Sequence, residues 1–94
     1  MPEMHFSLRW PDGSESLAYS PSLVVREHLA VGQSYPLDEF VARSTEALGI
    51  GSERVRAKFG MPCSRALSQI DSIRRTAARF GAVGTVTVLA FEEA

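Results

Sequence analysis

Cys63 is the single cysteine of the 94-residue chain and its one nucleophile of note. It stands at the head of a segment with helical periodicity, where the positive end of a helix favours a reactive thiolate. Arg65, two residues on, adds a cation. Against a reactive role, a cysteine unpaired with a base is most often a small buried core residue. No histidine is close in sequence. His5 falls on the polar side of an alternating stretch, and His28 lies beside Glu27. Each has the character of a solvated surface histidine with no companion ligand.

The other residues that can do chemistry are basic. Arg54, Arg56, Lys58 and Arg65 bracket Gly60. Guanidinium and ammonium groups so grouped would hold a phosphate or carboxylate, or meet an acidic partner. From residue 43 to 79 there are eight basic and three acidic side chains. Elsewhere two basic residues face eight acidic ones, and the net charge is −1. The chain is therefore polar end to end while its bulk charge gives no reason to expect nucleic acid or a membrane surface. The alternative reading is that these charges solvate the outer faces of two helices.

No phosphate-binding glycine loop, metalloprotease helix, nucleophile elbow or paired-carboxylate signature is present. One cysteine and two histidines do not make a structural zinc set, and no disulfide can form within the chain. No catalytic residue, metal or cofactor is assigned from sequence. The start lacks a basic segment followed by an apolar one, and no apolar run reaches the ~20 residues of a membrane span. The expectation is a reducing, cytoplasmic setting.

The elements that must position these residues follow from periodicity. Met4, Phe6, Leu8 and Trp10 alternate with His5, Ser7 and Arg9, which predicts a half-buried strand. Pro11-Asp12-Gly13-Ser14 is a turn, and residues 15–19 return as a weaker strand with Leu17 and Tyr19 on one face. Residues 22–34 are ambiguous. A helix begins near Pro36, with Ser34 as cap and the stripe Leu37, Phe40, Val41, Ser44, Leu48. Gly49-Ile50-Gly51 weakens it, yet Val55 and Phe59 stay in phase. This predicts either one long helix or two collinear pieces, the second capped by Ser52. A second amphipathic helix starts at Met61-Pro62-Cys63-Ser64 and ends at Gly81. Its stripe is Leu67, Ile70, Ile73, Ala77 and Phe80. Residues 85–91 form a strand with Val86, Val88 and Ala90 on one face, and Leu89 and Phe91 on the other.

The order is ββ–αα–β. It predicts one α+β domain over residues 1–94, a three-stranded sheet with two amphipathic helices packed on one face. With an apolar share of 45%, the chain is globular, but its core is thin at this size, which favours self-association into a homo-oligomer.

Several segments carry a more specific signal: Met1-Pro2-Glu3-Met4, Arg9-Trp10-Pro11-Asp12-Gly13-Ser14, Tyr19-Ser20-Pro21-Ser22-Leu23-Val24-Val25 and Ser34-Tyr35-Pro36-Leu37. Ser52-Glu53-Arg54-Val55-Arg56-Ala57-Lys58-Phe59-Gly60, Cys63-Ser64 and Val86-Thr87-Val88-Leu89-Ala90-Phe91 continue it. With these the chain resembles the mycobacterial-type nitrogen starvation response proteins, which are encoded in clusters with a nitrilase. The likeness runs from residue 1 to about 91. It implies a setting in which nitriles or cyanide serve as nitrogen source. Related clusters also carry a radical-SAM protein, an acetyltransferase, an aminoimidazole-ribonucleotide-synthase-like protein and a flavin-dependent oxidoreductase. It supplies no catalytic residues. Two functional expectations follow. One is an accessory module that binds a cluster-encoded enzyme such as the nitrilase through Arg54, Arg56, Lys58 and Arg65. The other is an anion or small-molecule sensor, or a minor enzyme, that uses Cys63 with Arg54 or Arg65.

Overall fold

Alternation along the first strand sets the layers. The computed structural model describes residues 3–61, 63–81 and 83–93, so Pro62, at the expected start of the second helix, and Met1, Pro2, Ala82 and Ala94 lie outside it. β1 (Met4–Arg9) and β2 (Glu15–Ser20) form the antiparallel hairpin that the Pro11–Ser14 turn requires. Asp12 Oδ1 accepts from the backbone N–H of Ser14 at 2.9 Å and from its hydroxyl at 2.6 Å. These bonds hold the Asp12 carboxyl below the usual carboxylate range. Met4, Phe6, Leu8 and Trp10 are buried on one face.

The ambiguous stretch resolves into two short elements. α1 (Val25–His28) buries Val25, and β3 (Ser34–Pro36) adds a strand. α2 (Leu37–Phe59), α3 (Ser64–Ala78) and β4 (Thr85–Glu93) complete the chain. The sheet thus has four antiparallel strands in the order β2-β1-β4-β3, not three, and the element order is ββαβααβ. β3 escaped a reading by pattern because three residues carry no period. Its proline is tolerated because β3 is an edge strand. Ser34 does not cap α2. It lies opposite Thr87 in the sheet, and the two hydroxyls are 2.7 Å apart. Pro36 takes the cap position without a side-chain bond.

β4 departs from simple alternation. Ser7 pairs with Ala90 but Leu8 pairs with Val88, so Leu89 is the extra residue of a β-bulge. The bulge reverses the alternation. Phe91 therefore lies opposite Phe6, with ring centroids 6.3 Å apart, on the same side as Val86 and Val88. The expected second apolar face is not formed.

All helices cover the one apolar face. Phe6, Leu8, Val86 and Val88 meet Phe40, Ala47 and Leu48 of α2 and Ile73 and Ala77 of α3. α2 is continuous through Gly49 and Gly51. Gly51 is there for contact: a Cβ would stand 2.9 Å from Pro21 Cγ and 3.2 Å from Ser22 Oγ. The segment leading into α1 thus rests directly on the helix backbone. Gly49 meets nothing within 4 Å. Ser52 is inside α2 and starts no second piece. On α3 the buried line runs through Ala66, Ile73 and Ala77, and Leu67 is turned out to solvent.

Length decides what is left uncovered. A helix of 23 residues spans roughly 34 Å, whereas a six-residue strand spans about 20 Å. The last buried residue of α2 is Ser52, and the following turns overhang the sheet. Gly60, at φ +84°, stops the helix with a left-handed residue whose N–H bonds to the Arg56 carbonyl at 2.7 Å.

Candidate functional site: the α2–α3 corner

The overhang and the turn after it form a corner where α3 begins beside the free edge of β2. Cys63 occupies the N-cap position of α3, with an extended backbone, one residue before the helix and not within its first turn. Its N–H donates to Ser52 Oγ at 3.2 Å, which ties the corner back onto α2. Its side chain is half-buried.

Tyr19 is the residue around which the corner is built. Its hydroxyl donates to Glu3 Oε1 at 3.2 Å and lies 4.0 Å from Cys63 Sγ. A phenol has one hydrogen, and a carboxylate only accepts. With Glu3 taking that hydrogen, Cys63 is the donor to the Tyr19 oxygen. The Arg65 guanidinium stacks over the Tyr19 ring at 3.9 Å and reaches Glu3 Oε1 at 3.8 Å. Gln69 Oε1 accepts the outward N–H of Tyr19 at 3.0 Å and so closes part of the β2 edge. Burial first, and then the neighbouring Cys63 and Glu3, push the Tyr19 hydroxyl up to about 12 from its ordinary 10. The phenol is neutral throughout the physiological range.

Of the five residues singled out from sequence, Cys63 and Arg65 are brought together here. Arg54, Arg56 and Lys58 lie exposed on the overhanging turns of α2. Arg56 is paired with Glu53 one turn back, which raises the guanidinium and lowers the carboxyl. Lys58 Nζ sits 5.5 Å over the Phe59 ring. The corner also carries apolar side chains that the sequence pattern assigns elsewhere. Phe59 is 65% exposed and Met61 72% exposed, on either side of Gly60. Phe59 holds a stripe position, yet α2 has passed the end of the sheet by that point. Val55, Phe59 and Pro21 line a shallow depression with Tyr19, Glu3 and Cys63.

The two histidines are elsewhere. His5 is half-buried on the open face of the sheet, its ring centroid 6.1 Å from that of Tyr19. His28 closes α1, with Nδ1 3.2 Å from the Val24 carbonyl and Nε2 3.9 Å from Glu46. Among the described residues, no hydrogen bond joins either histidine to Cys63, and no group of three or more His, Cys, Asp or Glu could hold a metal ion. No helix of the described residues is long and apolar enough to cross a membrane.

The family model for the nitrogen starvation-induced protein NitG matches residues 5–91. The chain belongs to this family. The match takes in all but the first residue of β1 and runs through most of β4, and hence covers the whole of the α2–α3 corner except Glu3. No curated protein and no solved structure matches the chain. The family is thus one described as induced by nitrogen starvation. Tyr19 and Glu3 were not singled out from sequence as site residues. Tyr19 is 44 positions from Cys63, and only the docking of α3 against the β2 edge joins them.

Proposed function

We propose that the protein is an accessory module of nitrogen-starvation metabolism that binds a partner enzyme through the α2–α3 corner. The observation that carries this is the exposure of Phe59 and Met61, on either side of Gly60 in the chain, at a well-tied corner. Solvent-exposed aromatic and methionine side chains flanked by arginine are the composition of an interface centre. Lys58 and Arg65 stand at its rim, and Arg54 and Arg56 extend the basic surface along α2. The matching partner surface is an apolar depression bordered by carboxylates. The likeness to nitrilase-cluster proteins makes the neighbouring nitrilase the first partner to test. The expected result is saturable binding of the purified nitrilase that weakens by at least about tenfold in the Lys58→Glu/Arg65→Glu double variant and falls steeply with salt. Binding that ignores both changes would remove the basic rim from the account.

One observation favours a second reading, a small-molecule or anion sensor, or a minor enzyme, that uses Cys63. The thiol is half-buried beside Arg65 and hydrogen-bonded to a neutral tyrosine. Under this reading Cys63→Ser abolishes ligand response and leaves nitrilase binding intact. Under the docking reading the same variant changes neither the fold nor, by more than a fewfold factor, partner binding.

A further inference from the structure

At the other end of the same helix pair lies a cleft between the first turns of α2 and the last turns of α3. Its volume is about 440 Å³, within the range of small-molecule sites. Leu37 and Ala77 form a buried floor, at 3% and 7% exposure, and half-buried Val41 adds an apolar wall. Two charged residues of opposite sign also line it, Asp38 from α2 and Arg74 from α3. They make no ion pair with each other, and among the described residues neither is ion-paired elsewhere. Asp38 Oδ1 accepts the adjacent Glu39 N–H at 2.9 Å, which fixes the carboxylate at the start of α2. Of the other charged side chains at this end, Glu39 is paired with Arg43 and Arg75 with Asp71, while Arg79 lines a separate depression beside Trp10.

A cleft with one cation, one anion and an apolar floor between them is complementary to a small dipolar ion. A simple anion would meet Asp38 and a simple cation would meet Arg74, each a repulsion in the same cleft. The geometry points to this cleft as a binding site for a free α-amino acid with a short apolar side chain: its carboxylate on the Arg74 guanidinium, its ammonium on the Asp38 carboxylate, and its side chain on Leu37, Val41 and Ala77. Each charged end then makes a charge-assisted hydrogen bond, and the side chain covers half-buried Val41 and exposed Ala78 above that floor. The site is separate from the α2–α3 corner, and its test needs no partner protein.

The test is a two-dimensional amide NMR titration of the whole protein with L-valine, with acetate and isobutylamine as half-ligands. The expected result is saturable shifts at Leu37, Val41, Arg74, Ala77 and Gly81 with a Kd of about 1 mM or tighter. Each half-ligand binds at least about tenfold more weakly. Arg74→Gln and Asp38→Asn, both at exposed positions, each reduce valine affinity at least about tenfold, the loss of one charge-assisted hydrogen bond. Ala78→Leu, which fills the cleft from its exposed rim, abolishes the shifts with both charges in place. Absence of saturable shifts with valine overturns the proposal. So does acetate binding as tightly as valine, or unchanged affinity in the two charge variants. Asp38 and Arg74 would then serve only to complement the dipoles of their own helices.

Discussion

The two ends of the α2–α3 pair are held together by different physics. At the end nearest the β1–β2 turn, closure is aromatic. Trp10 meets Phe40 edge-on, with centroids 5.8 Å apart, and stacks with Phe80 at 6.1 Å and 12°. Its indole N–H donates to Ser16 Oγ at 2.8 Å, so the ring is buried with its polar atom satisfied. At the corner, closure is polar. Ser52 takes the N–H of Cys63, Gln69 takes that of Tyr19, and Arg65 lies flat on a tyrosine ring while Phe59 and Met61 face solvent. The large buried aromatic contacts are thus gathered at one end. The other end is held in shape by directional bonds, with Phe59 and Met61 exposed to solvent.

The largest expected effect is at Trp10. Trp10→Ala should cost about 3–5 kcal/mol, since it removes a buried indole at the junction of sheet, α2 and α3. For a domain of this size that is a large share of the net stability, and the urea midpoint reports it. A loss below about 1 kcal/mol would mean that the aromatic end does not dominate.

The next effect separates two glycines of one helix. Gly51→Ala should destabilise by about 1–3 kcal/mol because the methyl meets Pro21 and Ser22. Gly49→Ala has open space and should stabilise by about 0.5–1 kcal/mol through helix propensity. Equal effects at the two positions would contradict direct packing of the Pro21–Ser22 segment on the α2 backbone.

The smallest effect sharpens the polar end. The Tyr19 pKa is raised in the folded state, from 10 to about 12, so the folded state favours the neutral phenol. The associated stability is present in full below pH 10 and is lost as pH rises from 10 to about 12. Unfolding midpoints measured across that window should fall more steeply in the native chain than in Tyr19→Phe. Parallel curves would show that the hydroxyl is not buried beside Cys63 and Glu3 in the way described.

What was legible in the sequence was what repeats. The alternation of Met4, Phe6, Leu8 and Trp10, the turn residues after them and the stripes of α2 and α3 place the layers and most of the core. What was not legible depends on contacts between distant segments. β3 is three residues long and exists because Ser34, Tyr35 and Pro36 find β4. Leu89 looks like any strand residue, yet the bulge there carries Phe91 to the opposite face. Gly51 reads as a helix breaker until Pro21 is seen against it. The site was legible in the same proportion. Cys63 and Arg65 share a helix start and were found together. Tyr19 and Glu3 come from β2 and the residue before β1, and Phe59 looked like core because the sequence does not say where the sheet ends.

Under the docking proposal, Phe59 and Met61 serve a partner and not the fold. The direct measurement is the Phe59→Ser/Met61→Ser double variant, followed by thermal unfolding and by binding to the purified nitrilase. The account predicts stability within about 0.5 kcal/mol of the native chain and binding weakened by at least about tenfold. A destabilised variant would assign these side chains to the core, and a stable variant that binds as well as the native chain would show that the corner is not the docking surface.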